Sequence, residues 1–402
     1  MAQDAILSIA DLERLARRRL PRLLFDVIES GVEDEIGLKT NAEAFQRQRF
    51  LPRVCAEVSR RSQRSTLMGK TFAGPFGVAP TGIAGVFRRG AETMLATAAK
   101  EAGLPLILSG ASMVSLERIA AISPETTWFQ LYPARDPAIT RDLLRRAEAA
   151  GMAGLVLTLD NPVSPKRERD ARNGFRLPMR LRPGLVLDAV LHPAWLLRYF
   201  MQGGLPVMEN WAPYAPAGAS AGDVAQFFRS QSPIVQTWDD IEAFRQIWPR
   251  KLIVKGIMHP DDAVRAASLG IDGIIVSNHG GKALDRVPSA LDLLPAVRQA
   301  VPKGFPVMID GSIRRGADVV AALCLGASFV FTGRATLYAV AAAGYDGVRR
   351  AMQILQEEID TTLALIGCSD VADLGPQYLF PLQPGSRDTL NAAREAATCF
   401  TE

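Results

Sequence analysis

Hydrophobic positions along this chain fall into two alternating patterns. Short unbroken apolar runs recur at Phe76–Pro80, Pro105–Gly110, Thr127–Leu131, Gly154–Leu159, Lys251–Lys255, Gly273–Ser277, Pro306–Asp310 and Ser328–Thr332. Between them lie amphipathic stretches such as Ala138–Ala150, Pro260–Leu269 and Arg315–Leu325. A continuous run suits a strand buried on both faces, whereas apolar residues recurring every three or four positions suit a helix that covers it. Eight strands alternating with helices predict an α/β fold, a parallel (β/α)8 TIM barrel. Residues 1–70, with helices expected from Ile6 to Gly69, read as an N-terminal helical cap. The barrel is assigned to 71–367, and 368–402 to a C-terminal tail. Val340–Ile366 reads as one long helix. The spacing breaks once, after the fourth strand, where roughly ninety residues intervene and a loop insertion is placed at about 176–235.

The ends of the apolar runs share a second property. They carry Thr81, Ser109, Gln130 with Tyr132, Thr158 with Asp160, Lys255, Ser277 with His279, Asp310, and Gly333 with Arg334. Eight strands that all end in polar residues define a polar mouth, the face on which barrel enzymes do chemistry. Two of these ends add Gly and Arg, in Asp310-Gly311-Ser312-Ile313-Arg314-Arg315-Gly316 and in Thr332-Gly333-Arg334. Backbone N–H groups and a helix N-terminus after the last two strands favour an anion, so a phosphate-bearing cofactor is expected there.

The chain has only three histidines, and His279 alone stands at the mouth, in Ser277-Asn278-His279-Gly280-Gly281-Lys282. An imidazole titrates near working pH and serves as a general base. Asp160, at another strand end, is the natural carboxylate to orient it. Lys255 could act as a Schiff-base amine or as a fixed cation beside an electron-rich ring. The sequence offers no nucleophile–base–orienter triad, no HExxH and no carboxylate cluster suited to two metals. The remaining composition narrows the class further. The net charge is +4 with no Lys/Arg stripe interleaved with aromatics, which argues against nucleic acid. Four scattered cysteines (Cys55, Cys324, Cys368, Cys399) form no CxxC and fit a reducing compartment. Met1-Ala2-Gln3-Asp4 opens no signal peptide, and no run of ~18 apolar residues suggests a membrane span. A cytoplasmic protein is expected.

From about Ile6 to Gly367 the chain resembles the FMN-dependent α-hydroxy acid oxidases and dehydrogenases, most of all those of the mandelate dehydrogenase type. The resemblance rests on motifs in family order: Leu20-Pro21, Ala79-Pro80-Thr81, Phe129-Gln130-Leu131-Tyr132, Leu157-Thr158-Leu159-Asp160, Val254-Lys255-Gly256, Ser277-Asn278-His279-Gly280-Gly281, Asp310-Gly311 through Gly316, and Gly333-Arg334. It implies FMN as cofactor and oxidation of a 2-hydroxy acid or related hydroxyl compound. It implies His279 as the base, Asp160 as its partner and Lys255 beside the flavin N1 and C2 carbonyl. Pro80, Thr81, Gly82, Ser109, Gln130, Thr158 and Ser277 would hold the isoalloxazine and ribityl. Asp310, Gly311, Arg314, Gly333 and Arg334 would bind the ribityl and phosphate, while Tyr132 and Arg167 face the substrate.

Two departures from the family pattern bear on specificity. Val27 stands where the family usually has a Tyr that donates to the substrate carboxylate, and Lys282 stands where it has Arg. Lysine keeps the charge but loses the bidentate fork, and a lost hydrogen bond to a charged group costs about 1.5–3 kcal/mol. Ala111, where glycolate oxidase-like members carry Trp, and Gly82 imply a roomier pocket. The expected substrate is therefore larger than glycolate or lactate, or has its carboxylate esterified, amidated or absent.

The insertion contains the basic Arg176-Leu177-Pro178-Met179-Arg180-Leu181-Arg182 and the apolar Leu185–Met201 with Trp195, Tyr199 and Phe200. Basic-flanked and aromatic, residues 176–215 read as a segment lying on the inner face of a membrane with quinone as acceptor, or alternatively as a lid or subunit contact. A homo-oligomer, most simply a tetramer, is expected. The rivals are a soluble oxidase yielding hydrogen peroxide, a non-catalytic flavin-binding protein and a Schiff-base aldolase, the last leaving the His279 segment unused.

Overall fold

Eight parallel strands close on themselves in the computed structural model, which describes residues 5–175, 183–201 and 203–381. They are β1 (Phe76–Val78), β2 (Leu106–Ser109), β3 (Thr127–Leu131), β4 (Gly154–Thr158), β5 (Lys251–Ile257), β6 (Gly273–Val276), β7 (Val307–Asp310) and β8 (Phe329–Thr332), with β8 paired back to β1. Every apolar run predicted as a strand supplies one. The helices Pro137–Ala149, Pro260–Ser268 and Gly316–Cys324 lie within a residue of their predicted positions. The (β/α)8 barrel is therefore the fold.

The barrel interior is a dry column of Ile107, Trp128, Val156, Ile253, Ile275, Met308, Phe329 and Phe331. Leu67 and Phe72 belong to the same cluster and come from outside the barrel. They sit on an antiparallel hairpin, Ser65–Leu67 with Lys70–Phe72, that packs into the column. Its turn, Met68-Gly69, has positive φ at both residues, which matches the right-handed twist of a tight hairpin. The helices expected up to Gly69 in fact stop at Arg47: α1 (Ile9–Arg19), α2 (Arg22–Glu29) and α3 (Ile36–Arg47).

α1 starts at a capping box between Ser8 and Asp11 and lays Ile9, Leu12 and Ala16 against the helix Arg334–Ala343. The single helix expected over Val340–Ile366 is a second correction. Arg334–Ala343 and Tyr345–Ile366 are separate helices joined at Gly344, whose φ is +66°. A left-handed residue ends a helix, and glycine adopts that conformation without strain.

Among the described residues the insertion contributes three α-helices, Pro183–Val190, Pro193–Met201 and Ala221–Gln231. Trp195 Nε1 donates to the Val86 carbonyl (3.2 Å), Tyr199 Oη donates to the Gly85 carbonyl, and Trp211 Nε1 donates to the Gly110 carbonyl (2.8 Å). These bonds hold the insertion over the loops that follow β1 and β2. The basic segment 176–182 lies outside the described residues, as do Met1–Asp4 and Cys399.

Candidate active site

His279 lies three residues beyond β6 with φ +58°, an unfavourable conformation for a side-chain-bearing residue, and Gly280 and Gly281 follow it with positive φ. The Ser277 hydroxyl accepts from the His279 backbone N–H (3.0 Å), and the Asn278 carbonyl accepts from Gly281 N–H (3.1 Å). This tight turn directs the imidazole into the mouth. Its Nδ1 is 2.9 Å from Asp160 Oδ1 and 3.1 Å from Oδ2. An ionised carboxylate only accepts, so Nδ1 carries a proton toward Asp160 and the Nε2 lone pair faces the cavity. Tyr132 Oη stands 3.5 Å from that Nε2. Burial pushes the Asp160 carboxyl up, but His279 and then Lys255 outweigh it and hold the group below the usual carboxylate range. The tyrosine hydroxyl moves the opposite way, raised by burial and by the charge of Asp160, and stays a neutral donor.

The placement of Asp160 depends on a neighbouring strand. A Cβ on Gly256 would lie 2.6 Å from Asp160 Cβ, and Gly256 itself has φ +101°. The β5–β6 register shifts at this residue. Such a bulge re-aims adjacent side chains; here it seats Asp160 and leaves Lys255 pointing inward. Lys255 is 3% exposed, with Nζ donating to Ser277 Oγ (2.7 Å) and 3.1 Å from Asp310 Oδ2.

A cavity of about 1240 Å3 opens from this cluster. Ligand sites typically span roughly 300–1,000 Å3, so it can take a cofactor and a substrate together. Of the residues expected at the site, Val27, Pro80, Thr81, Gly82, Ser109, Ala111, Tyr132, Thr158, Arg167, Lys255, His279, Lys282, Asp310, Gly311, Arg314, Gly333 and Arg334 all line it. Asp160, Gln130 and Ser277 do not line it and hold those that do. Gln130 Oε1 accepts from Ser109 Oγ and Gly110 N–H, both at 3.2 Å.

Several buried polar atoms on the cavity wall lack a protein partner among the described residues: Thr158 Oγ1, Asn161 Oδ1, Arg167 Nε, Asp170 Oδ1 and Asp310 Oδ1. An unsatisfied buried group costs about 1–3 kcal/mol. Five gathered at one cavity fit a polar ligand that completes their bonds. At the far side, Arg314 and Arg334 face the cavity with no carboxylate in salt-bridge contact among the described residues. Arg334 donates to the carbonyls of Ile28 (2.9 Å), Gly280 (2.8 Å) and Ser30 (3.2 Å), and burial followed by Arg314 lowers its pKa to about 10. Two guanidiniums beside the N-terminus of Arg334–Ala343 form an anion site. A planar polar group ending in a phosphate fits this set of residues, as FMN does.

The substrate side differs from the expectation in one respect. Lys282 does not extend freely into the cavity. Its Nζ donates to the Val27 carbonyl (2.9 Å) and stands 3.4 Å from Ser30 Oγ. Burial, then Arg334 and Arg167, pull its pKa well below the usual lysine value. Val27 presents only methyl groups. Gly82 has little room to spare, since a Cβ there would stand 3.2 Å from Ala111 Cβ. Two polar residues that face this cavity were among those missed from sequence. Asn161 Nδ2 lies 3.2 Å from His279 Nδ1, and its place next to Asp160 was the available clue. Arg229 lines the cavity from the insertion, where no motif marks it.

The profile of the FMN-dependent dehydrogenases matches residues 16–381. (S)-Mandelate dehydrogenase of Pseudomonas putida is 40% identical over 380 residues, 94% of this chain and 95% of its own. L-lactate oxidase of Nostoc is 38% identical, covering 93% and 98%. The crystal structure of the monotopic membrane protein (S)-mandelate dehydrogenase superposes with a TM-score of 0.89 at 39% identity, covering 93% and 99%.

Proposed function

The chain belongs to the FMN-dependent dehydrogenases, oxidoreductases acting on CH–OH groups, and from that premise we propose that it oxidises a 2-hydroxy acid with a bulky apolar substituent to the 2-oxo acid. The observation that carries this reading is the Asp160–His279–Tyr132 line, with Nδ1 tied to Asp160 and Nε2 open to the cavity. FMN, when bound, supplies the two-electron acceptor. His279 Nε2 takes a substrate proton, and Asp160 stabilises the imidazolium that results. Tyr132 donates to the substrate oxygen. Lys255 keeps a fixed positive charge in the dry floor, where it favours charge developing above it. Thr158 and Asp310 would complete their bonds on the cofactor, with Gln130 steadying Ser109 beside them, and Arg314 and Arg334 would hold its phosphate. Arg167 anchors the substrate carboxylate.

The bulk of the substrate is inferred from the lining. Leu23, Leu24, Val27, Val86, Phe175 and Phe228 present an apolar wall beyond His279, and Ala111 adds only a methyl group to it. Anaerobic bleaching of the bound flavin tests the reading, using a panel of 2-hydroxy acids with their esters and amides. Preferential bleaching by a 2-hydroxy acid with a large apolar group supports it. Bleaching by the esters or amides instead would transfer the assignment to a carboxylate-blocked substrate, and no bleaching by any of them would remove the catalytic reading.

A second part of the reading concerns the acceptor. Leu187, Leu197, Phe200 and Met201 are each more than half exposed on the helices Pro183–Val190 and Pro193–Met201, as is Leu191 between them, Phe200 and Met201 by 81%. Among the described residues no helix is long and apolar enough to cross a membrane. An exposed apolar patch of this kind suits peripheral docking on a bilayer, with a quinone as acceptor. Replacing Phe200 and Met201 with Ser is expected to release the protein from sedimented vesicles while flavin reduction is kept. Equal sedimentation of both forms counts against docking.

A further inference from the structure

With Val27 lacking a hydroxyl and Lys282 bonded to the Val27 carbonyl, Arg167 is left as a cavity cation near Tyr132 that makes no salt bridge among the described residues. Its Nε is buried and has no partner among the described residues. A second guanidinium lies within reach of its charge. The helix Ala221–Gln231 turns one stripe toward the cavity, comprising Ala221, Ala225, Phe228 and Arg229, and the same line continues to Ser232 beyond its end. Residues spaced by three and four share a helix face, so Arg229, although exposed, is on the cavity side. It makes no salt bridge or hydrogen bond among the described residues. Burial and then the nearby charge of Arg167 lower its pKa. The like charge is unfavourable unless an anion sits against the two.

We infer that Arg229 is a specificity-determining residue, which with Arg167 forms a two-cation site for the carboxylate of the substrate. The inference rests on the hydroxy-acid reading above and adds where the acid is held. The lost tyrosine hydroxyl and the engaged lysine are replaced by a cation from the insertion. An arginine presents a planar fork that suits a carboxylate. The apolar body of the substrate then lies along Val27 and Phe228, and its hydroxyl carbon lies toward His279. An ordinary helix-end role offers the alternative, because Arg229 is in the last turn of its helix, where a cation is favoured anyway.

The test compares holoenzyme carrying Arg229→Leu or Arg229→Lys with the unaltered chain. Stopped-flow flavin reduction is expected to show KM for the 2-hydroxy acid raised about tenfold or more in Arg229→Leu. The limiting rate should change far less, KM for the methyl ester should not change, and Arg229→Lys should recover part of the loss. Equal shifts for acid and ester, or no shift for either, overturn the inference. A second measurement is independent of turnover: phenylacetate, a carboxylate without the hydroxyl, is titrated against the visible spectrum of bound FMN. Its Kd should rise about tenfold in Arg229→Leu, and an unchanged Kd, or no perturbation in the unaltered protein, also overturns it. Failure of every hydroxy acid to bleach the flavin, with phenylacetate still sensing Arg229, would reject the proposed reaction and keep the anion site.

Discussion

The two ends of the barrel are built on opposite principles. At the closed end, Trp128, Phe329 and Phe331 interlock at ring-centroid distances of 5.5–5.6 Å, and the hairpin brings Leu67 and Phe72 against them. Each of these side chains gains stability by leaving water. At the open end, Lys255 and Asp310 are buried and charged, His279 holds a left-handed backbone, and buried polar atoms lack protein partners. Each of these features costs stability. The contrast indicates which residues serve the fold and which are held in place by it: where local rules of packing and satisfaction fail together, the site lies.

Removing the base gives the sharpest break in this comparison. His279→Asn should bind FMN as before yet reduce it with substrate about 10²–10⁴-fold more slowly. Flavin content and single-turnover bleaching measure the two halves of that claim. A variant that reduces FMN at an unaltered rate would place the base elsewhere and leave the open end without its main function.

The closed end should respond in the opposite sense. Phe331→Ala is expected to lower unfolding stability by about 3–5 kcal/mol, followed by denaturant titration. At a temperature where the variant remains folded, its flavin reduction should stay within a few-fold of the unaltered chain. A large loss of rate with little loss of stability would mean that the aromatic column also positions the mouth.

How much of this was legible in the sequence divides along the same line. The barrel strands announce themselves as continuous apolar runs because both faces of each are buried, and His279 stands out as the lone histidine at a strand end. The hairpin at Ser65–Phe72 was hidden, since three-residue strands carry too little pattern and their value comes from filling the barrel floor. The break at Gly344 was hidden among good helix formers. It becomes intelligible only in three dimensions, where the two helices cross so closely that a Cβ on Gly347 would stand 2.2 Å from the Ala339 carbonyl oxygen. At the site, the presence of Lys282 was readable, but its bond to the Val27 carbonyl depends on where α2 ends. Arg229 was unreadable because its position depends on how the insertion helix lies over the mouth.

The smallest effect expected follows from Lys282 and its cost to the open end. Its folded pKa is depressed by burial, then by Arg334 and Arg167, with Asp170 and Glu29 opposing. A base with a folded pKa below its unfolded value resists the proton that the unfolded chain accepts. The penalty is therefore constant below the folded pKa, shrinks as pH rises from there, and is gone near pH 10.4, where the unfolded lysine also loses its proton. Each unit of depression corresponds to about 1.4 kcal/mol, reduced by the bonds to Val27 and Ser30 that a replacement forfeits. Lys282→Met should accordingly raise the Tm of the flavin-loaded protein at neutral pH, with the advantage fading toward pH 10. A Tm difference that is flat across this range would mean that Lys282 holds its proton as easily inside the protein as outside. In that case the open end would carry one penalty fewer than its geometry implies, and Lys282 would remain available as a charged anchor for the substrate.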